Sequence, residues 1–140
     1  MRNIVFWIVA LIAILWNLFG AYNFAQTLAN NHDYLKDVDA EFLAWTLALP
    51  GWRYALWGLA VALSVAGSLA LLLKRAMAGL LFWLTAGAMV LGFGADFLLF
   101  DGMRYYHPSG LGFLAMLVAI EAAFALYAGW AARQGMLKRP

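Results

Sequence analysis

Glu121 is the residue whose type and surroundings most strongly suggest chemistry. It is the one acidic residue in an apolar run from about Leu111 to Ala132. Counting about 1.5 Å per residue from either end of this run places it near the middle of a lipid bilayer. A charged acid at that depth costs at least about 2.5–3.5 kcal/mol, so it is a functional candidate by default. Because no Lys or Arg lies at its level, we expect burial to keep this carboxyl protonated at neutral pH.

Four neutral polar residues could accompany Glu121 inside the membrane: Asn17, Ser64, Ser68 and Thr85. Two interpretations of this set remain open. In the first, Glu121 binds and releases a proton or cation, as in a small coupled transporter. In the second, a protonated Glu121 hydrogen-bonds across helices to Ser64, Thr85 or a neighbouring subunit, which contributes about 1 kcal/mol.

A second group of charged residues is predicted at the outer surface. Asp96 falls about 30 Å along a helix from Ala76, which places it at the boundary of the bilayer. With Asp101 and Arg104 it is expected to form a solvated charge cluster that anchors the helix ends.

Signatures of catalysis and metal binding do not occur in the sequence. His32 and His107 belong to outer loops, and their spacing matches no metal-ligand motif. The chain has no cysteine, which excludes disulfides and thiolate ligands. We find no nucleophile elbow and no phosphate-binding glycine loop. The sequence therefore predicts no enzyme, no cofactor and no metal site.

The composition restricts the class of protein further. The 140 residues are 66% hydrophobic and 11% charged, against roughly 45–50% and about 25% in soluble domains. So few charged side chains cannot cover a water-exposed surface. A soluble enzyme, a nucleic-acid-binding protein and a disordered chain are excluded, and the lipid bilayer is the expected partner.

Four apolar stretches are long enough to cross a membrane, since about 20 residues suffice. They comprise residues 4–24, 54–73, 76–98 and 111–132. We therefore predict an all-α membrane protein, a single four-transmembrane-helix bundle occupying residues 1–140. The apolar part of the first span exceeds the 7–15 residues usual in a cleaved signal peptide, which favours an uncleaved anchor.

The distribution of basic residues predicts the orientation. One side of the membrane carries six of them and no acid: Arg2, Lys74, Arg75, Arg133, Lys138 and Arg139. The other side carries three basic residues, Lys36, Arg53 and Arg104, together with five acids. Because cytoplasmic loops are enriched in Lys and Arg, both termini are expected in the cytoplasm.

The long outer loop, residues 26–52, contains a further amphipathic segment. Phe42, Trp45 and Leu49 share one helical face. Asp39 is placed to cap this segment, and Pro50-Gly51 ends it. We predict a short helix from Glu41 to Leu49 that lies in the outer membrane interface.

Rows of small residues four apart suggest where helices meet, because membrane helices associate through close backbone packing. The rows are Ala60-Ser64-Ser68, Ala88-Gly92, Ala115-Ala119-Ala123 and Ala125-Gly129. They favour a non-enzymatic accessory or oligomeric membrane component. The alternative, a transporter, would require a dimer or larger assembly, since four short spans leave little room for a substrate cavity.

Several short segments resemble a group of small four-span bacterial membrane proteins. They comprise LWNLFGAY at residues 15–22, Pro50-Gly51-Trp52, Trp57-Gly58 and LLLKR at residues 71–75. The resemblance is confined to about the first 75 residues. It implies a bacterial inner-membrane location. Some members are labelled "sugar transporter", which implies a small, sugar-like solute. Glu121 lies outside the resembling part, so the resemblance implies no role for it.

Overall fold

The computed structural model describes residues 2–138, and within them the chain is all α-helical. The helices are α1 (Arg2–Leu28), α2 (His32–Leu35), α3 (Ala40–Leu47), α4 (Gly51–Leu72), α5 (Ala78–Leu99), α6 (Gly102–Tyr105) and α7 (Pro108–Arg133). The long helices α1, α4, α5 and α7 are each apolar and long enough to cross a membrane. This confirms the predicted fold class and a multi-pass membrane protein. Two of the long helices, α1 and α7, extend beyond both ends of the predicted spans, because a helix can continue where its side chains become polar.

The four long helices pack as a bundle in chain order. α4 lies against α1 and against α5, and α5 also lies against α7. The centre of the bundle combines many alanines with a few large side chains, among them Phe6, Leu71, Phe82 and Phe124. Alanines such as Ala128, which is completely buried, let the helix backbones approach closely.

The outer surface of the bundle consists largely of big apolar side chains. Leu98 is 85% exposed and Leu73 is 71% exposed, and all four long helices contribute similar residues. A soluble protein rarely exposes apolar patches of this extent. This surface is therefore suited to contact with lipid chains.

One end of the bundle gathers the N-terminus, the α4–α5 turn and the C-terminal tail. Lys74 forms the turn with a φ of 55°, and its Nζ lies 5.1 Å from the ring centre of Trp7. The tail returns to the same turn, where the Lys138 N–H donates to the Lys74 carbonyl at 2.7 Å. The clustering of basic residues at one end agrees with the prediction. Arg139, which was counted in that set, lies outside the described residues.

The short helices α2, α3 and α6 lie at the opposite end. A helix is present as α3 in the segment where a short helix was predicted, and the Asp39 carboxylate accepts a hydrogen bond from the Phe42 N–H at 2.9 Å. It begins at Ala40 and ends at Leu47, so Leu49 lies beyond it. Neither α2 nor α6 was predicted. Each has four residues, which is too short for helical periodicity to be recognised.

Candidate functional site

Glu121 lies at the middle of α7 and is completely buried. It is about 20 Å from Pro108 and about 18 Å from Arg133 along the helix. Neither of its carboxyl oxygens has a hydrogen-bond partner among the described residues. The side chain therefore faces the interior of the bundle at mid-membrane depth, where a polar group without a partner is costly.

Asn17 and Ser68 join α1 to α4 inside the same bundle. Both are buried, and Asn17 Nδ2 donates to Ser68 Oγ at 2.9 Å. The Asn17 amide also lies close to the Glu121 carboxyl, although without the geometry of a hydrogen bond. We refer to Asn17, Ser68 and Glu121 as the central polar cluster. It connects residues from α1, α4 and α7.

The remaining hydroxyls predicted near Glu121 are buried, but they bond within their own helices. Ser64 Oγ donates to the Val61 carbonyl at 2.8 Å, and Thr85 Oγ1 donates to the Leu81 carbonyl at 2.9 Å. Hydroxyl groups in membrane helices satisfy themselves in this way when no better acceptor is near. The cross-helix bond from Glu121 to Ser64 or Thr85 is absent from the described part of the chain.

Asp96 requires a correction, because it does not lie in a solvated cluster. Its side chain is fully buried, and both oxygens bind Arg53 of α4. Arg53 Nε donates to Asp96 Oδ1, and Arg53 Nη2 donates to Asp96 Oδ2, each at 2.7 Å. The predicted partners Asp101 and Arg104 are both exposed and take no part in the hydrogen bonds between Arg53 and Asp96. We refer to Arg53 and Asp96 as the buried ion pair.

Two features of α4 and α5 make room for the buried ion pair. Arg53 is the third residue of α4 and Asp96 is the fourth from the end of α5, so antiparallel packing brings them to the same depth. Gly92 of α5 lies directly under the guanidinium, since a Cβ at this position would be 3.1 Å from Arg53 Cζ. The missing side chain of Gly92 thus provides the space that the Arg53 head group occupies.

Aromatic side chains cover the buried ion pair from the end of the bundle that holds α3 and α6. Tyr106 lies between α6 and α7, and its hydroxyl is 3.4 Å from Asp96 Oδ2. Burial, followed by the nearby Asp96 carboxylate, raises the pKa of Tyr106 above its ordinary value, and Arg53 acts in the opposite direction. Tyr106 therefore keeps its proton, and its hydroxyl donates a hydrogen bond to Asp96.

The cover continues from Tyr106 to the short helix α3. The Tyr106 ring lies 5.2 Å from that of Phe42 and 5.5 Å from that of Trp45, centre to centre. Trp45 also stacks on Tyr105 at 5.3 Å, and its Nε1 donates to the Phe100 carbonyl at 2.8 Å. We call Phe42, Trp45, Tyr105 and Tyr106 the aromatic cap. It attaches the long outer loop to the end of α5.

The histidines do not assemble a metal site. His32 lies 4.0 Å from its sequence neighbour Asp33, and both side chains are fully exposed. His107 is exposed just before α7. Within residues 2–138 no group of three or more His, Cys, Asp or Glu side chains is arranged to hold a metal ion.

Arg53 is the site residue that sequence reasoning missed. The charge pattern places it with Lys36 and Arg104 on one side of the membrane, just before the second span, and assigns it no partner. The signal that could have identified it is the pairing of opposite charges at equal depth on adjacent antiparallel helices. A lone Asp at the end of an apolar helix needs a partner, and Arg53 is the basic residue nearest to that level in the neighbouring span.

Comparisons of the chain with models of known protein families, with curated proteins and with solved structures found no match.

Proposed function

We propose that this protein is a non-enzymatic component of the bacterial cytoplasmic membrane that acts through association within the bilayer, as a homo-oligomer or as the accessory subunit of a larger complex. The observation that supports this proposal is a row of small residues on α7 that the bundle leaves exposed, namely Ala115, Ala119 and Ala123. The small-residue rows of α4 and α5 are instead buried inside the bundle. A row of this type permits close approach of a second helix.

The remaining polar chemistry supports the same proposal. Arg53 and Asp96 neutralise each other inside the chain. Among the described residues, only Glu121 and Tyr127 have buried side-chain polar atoms without a hydrogen-bond partner. The lipid-facing surface is thus left with apolar and small side chains, which interact by packing.

Association through α7 is tested by enlarging the middle of its exposed row. We expect Ala119→Leu to shift the protein from an oligomer to a monomer in mild detergent, because the added side chain keeps a second helix from approaching. Light scattering with correction for bound detergent measures the mass. The matched control is Ala62→Leu, which enlarges an exposed alanine on α4. If Ala119→Leu and Ala62→Leu leave the mass of the assembly equally unchanged, association through this face is refuted.

The proposed orientation places both termini in the cytoplasm, because the end of the bundle that holds Lys74, Arg75, Arg133 and Lys138 carries the basic excess. Reporter domains fused after Asn31 and after Tyr106 are expected outside the cell, and one fused after Arg75 is expected inside. Two kinds of reporter, one active only inside the cell and one active only outside it, would measure the location of each fusion point. The reverse pattern would contradict the orientation.

A second candidate function is favoured by one observation, the complete burial of Glu121 without a hydrogen-bond partner among the described residues. In this candidate the protein is a proton-coupled or small-solute transporter, and Glu121 carries the proton. The resemblance of residues 1–75 to proteins labelled "sugar transporter" suggests a sugar-like solute. Replacing Glu121 by glutamine, which cannot titrate, tests this candidate.

A further inference from the structure

Two carboxyl groups of the membrane-spanning helices are completely buried, and their surroundings are opposite in character. Asp96 receives two charge-assisted hydrogen bonds from Arg53, so its negative charge is balanced. Glu121 has no hydrogen-bond partner among the described residues. A buried charge without a partner is far less stable than the neutral acid.

No other charge within the described chain compensates Glu121. Apart from Glu121, the titratable side chains that the structure describes on the long helices are Tyr22 on α1, Arg53 and Tyr54 on α4, Asp96 on α5, and Tyr127 and Arg133 on α7. None of these forms a hydrogen bond with the Glu121 carboxyl, whose two oxygens have no partner among the described residues. The carboxyl can therefore balance its charge only by taking up an ion.

The groups around Glu121 suit a proton better than a metal cation. Metal cations that prefer oxygen bind several oxygen atoms at once. Here the Asn17 side chain presents its NH2 group, which donates to Ser68. Ser68 Oγ accepts that bond and donates its own hydrogen to the Ser64 carbonyl at 2.9 Å. The acidic oxygen atoms of the central polar cluster are thus those of the Glu121 carboxyl group. A single proton bound to one of them neutralises the group.

We propose that Glu121 is an exchangeable proton-binding site at the middle of the membrane. On release, the O–H bond of the carboxylic acid breaks, the electron pair stays on the carboxylate and the proton passes to water. The Asn17 amide is then the neighbouring group that can stabilise the charge. This inference does not depend on transport, because a site can bind a proton without moving it across the membrane.

Infrared spectroscopy of the full chain in lipid vesicles tests the proposal directly, because a protonated carboxyl has a C=O stretching band that a carboxylate lacks. The chain contains two glutamates, Glu41 and Glu121, and Glu41 is exposed in α3. Labelling glutamate side chains with carbon-13 therefore shifts the bands of these two residues and leaves those of the aspartates unchanged. We expect an isotope-sensitive carboxylic-acid band at neutral pH that disappears as the pH is raised.

Two further measurements assign the band and test exchange. Glu41→Gln is the matched control and should leave the acid band intact, whereas Glu121→Gln should remove it. In D2O the band should shift, because an exchangeable proton is replaced by deuterium. Absence of the band at neutral pH overturns the proposal, since Glu121 would then be ionised. A band that survives at every pH, or that does not shift in D2O, overturns it equally, since the proton would not exchange.

Discussion

Replacing Arg53 by alanine is expected to lower the free energy of unfolding by about 3–5 kcal/mol, the cost of leaving one member of a buried ion pair without its partner. Asp96 is completely buried, and both its oxygens accept hydrogen bonds from Arg53. Without the guanidinium, Asp96 must either hold an unbalanced charge or take up a proton. The Tyr106 hydroxyl, at 3.4 Å from one oxygen, is too weak a donor to replace two charge-assisted bonds.

Unfolding of the purified protein by increasing fractions of a denaturing detergent in mixed micelles measures this loss. Arg104→Ala is the matched control, because Arg104 is an exposed arginine at the same end of the bundle, and its loss should change stability by less than about 0.5 kcal/mol. The double replacement Arg53→Met with Asp96→Leu should recover most of the loss, since an apolar pair of similar volume avoids burying charge. Equal stability of Arg53→Ala and Arg104→Ala would show that the buried ion pair does not hold α4 to α5.

The second large effect concerns Glu121 and the transporter candidate. If Glu121 carries the proton, Glu121→Gln should abolish proton movement across the membrane, because glutamine keeps the shape and polarity of the side chain but cannot titrate. Protein reconstituted into liposomes with a pH-sensitive dye inside measures the flux under an imposed membrane potential. The proton flux through Glu121→Gln should fall to the level of empty liposomes.

Glu41→Gln is the control for this experiment too, because it removes the other glutamate, which is exposed in α3. Its flux should equal that of the unmodified chain. A flux through the unmodified chain no greater than that of empty liposomes would refute the transporter candidate and leave the proton-binding proposal intact. A flux that survives in Glu121→Gln would show that the protons follow another route.

The buried ion pair and the central polar cluster represent two solutions to one physical problem. A charge placed inside a membrane protein must be balanced or removed. Arg53 balances Asp96 near one end of the bundle, where Gly92 leaves space for the guanidinium. Near the middle of the membrane, Glu121 has a neutral amide as its neighbour. The first arrangement favours rigidity, whereas the second permits a change of protonation.

The sequence by itself determined the number of membrane-spanning helices, the all-α fold and the end of the bundle where the basic residues gather. These properties depend on the length and polarity of continuous segments, which can be counted along the chain. The sequence also located Asp39 as the cap of α3, because capping is a contact between near neighbours. The depth of Glu121 followed from the same counting.

Only the tertiary structure decided which polar groups meet. The long helices are apolar on nearly all sides, so hydropathy does not indicate which face of each helix turns inward. The rotation of α4 and α5 about their axes brought Arg53 to Asp96, although 43 positions separate them. The rotation of α7 buried Glu121 and left Ala119 exposed. Such rotations depend on how all four helices pack together, and no local stretch of sequence contains that information.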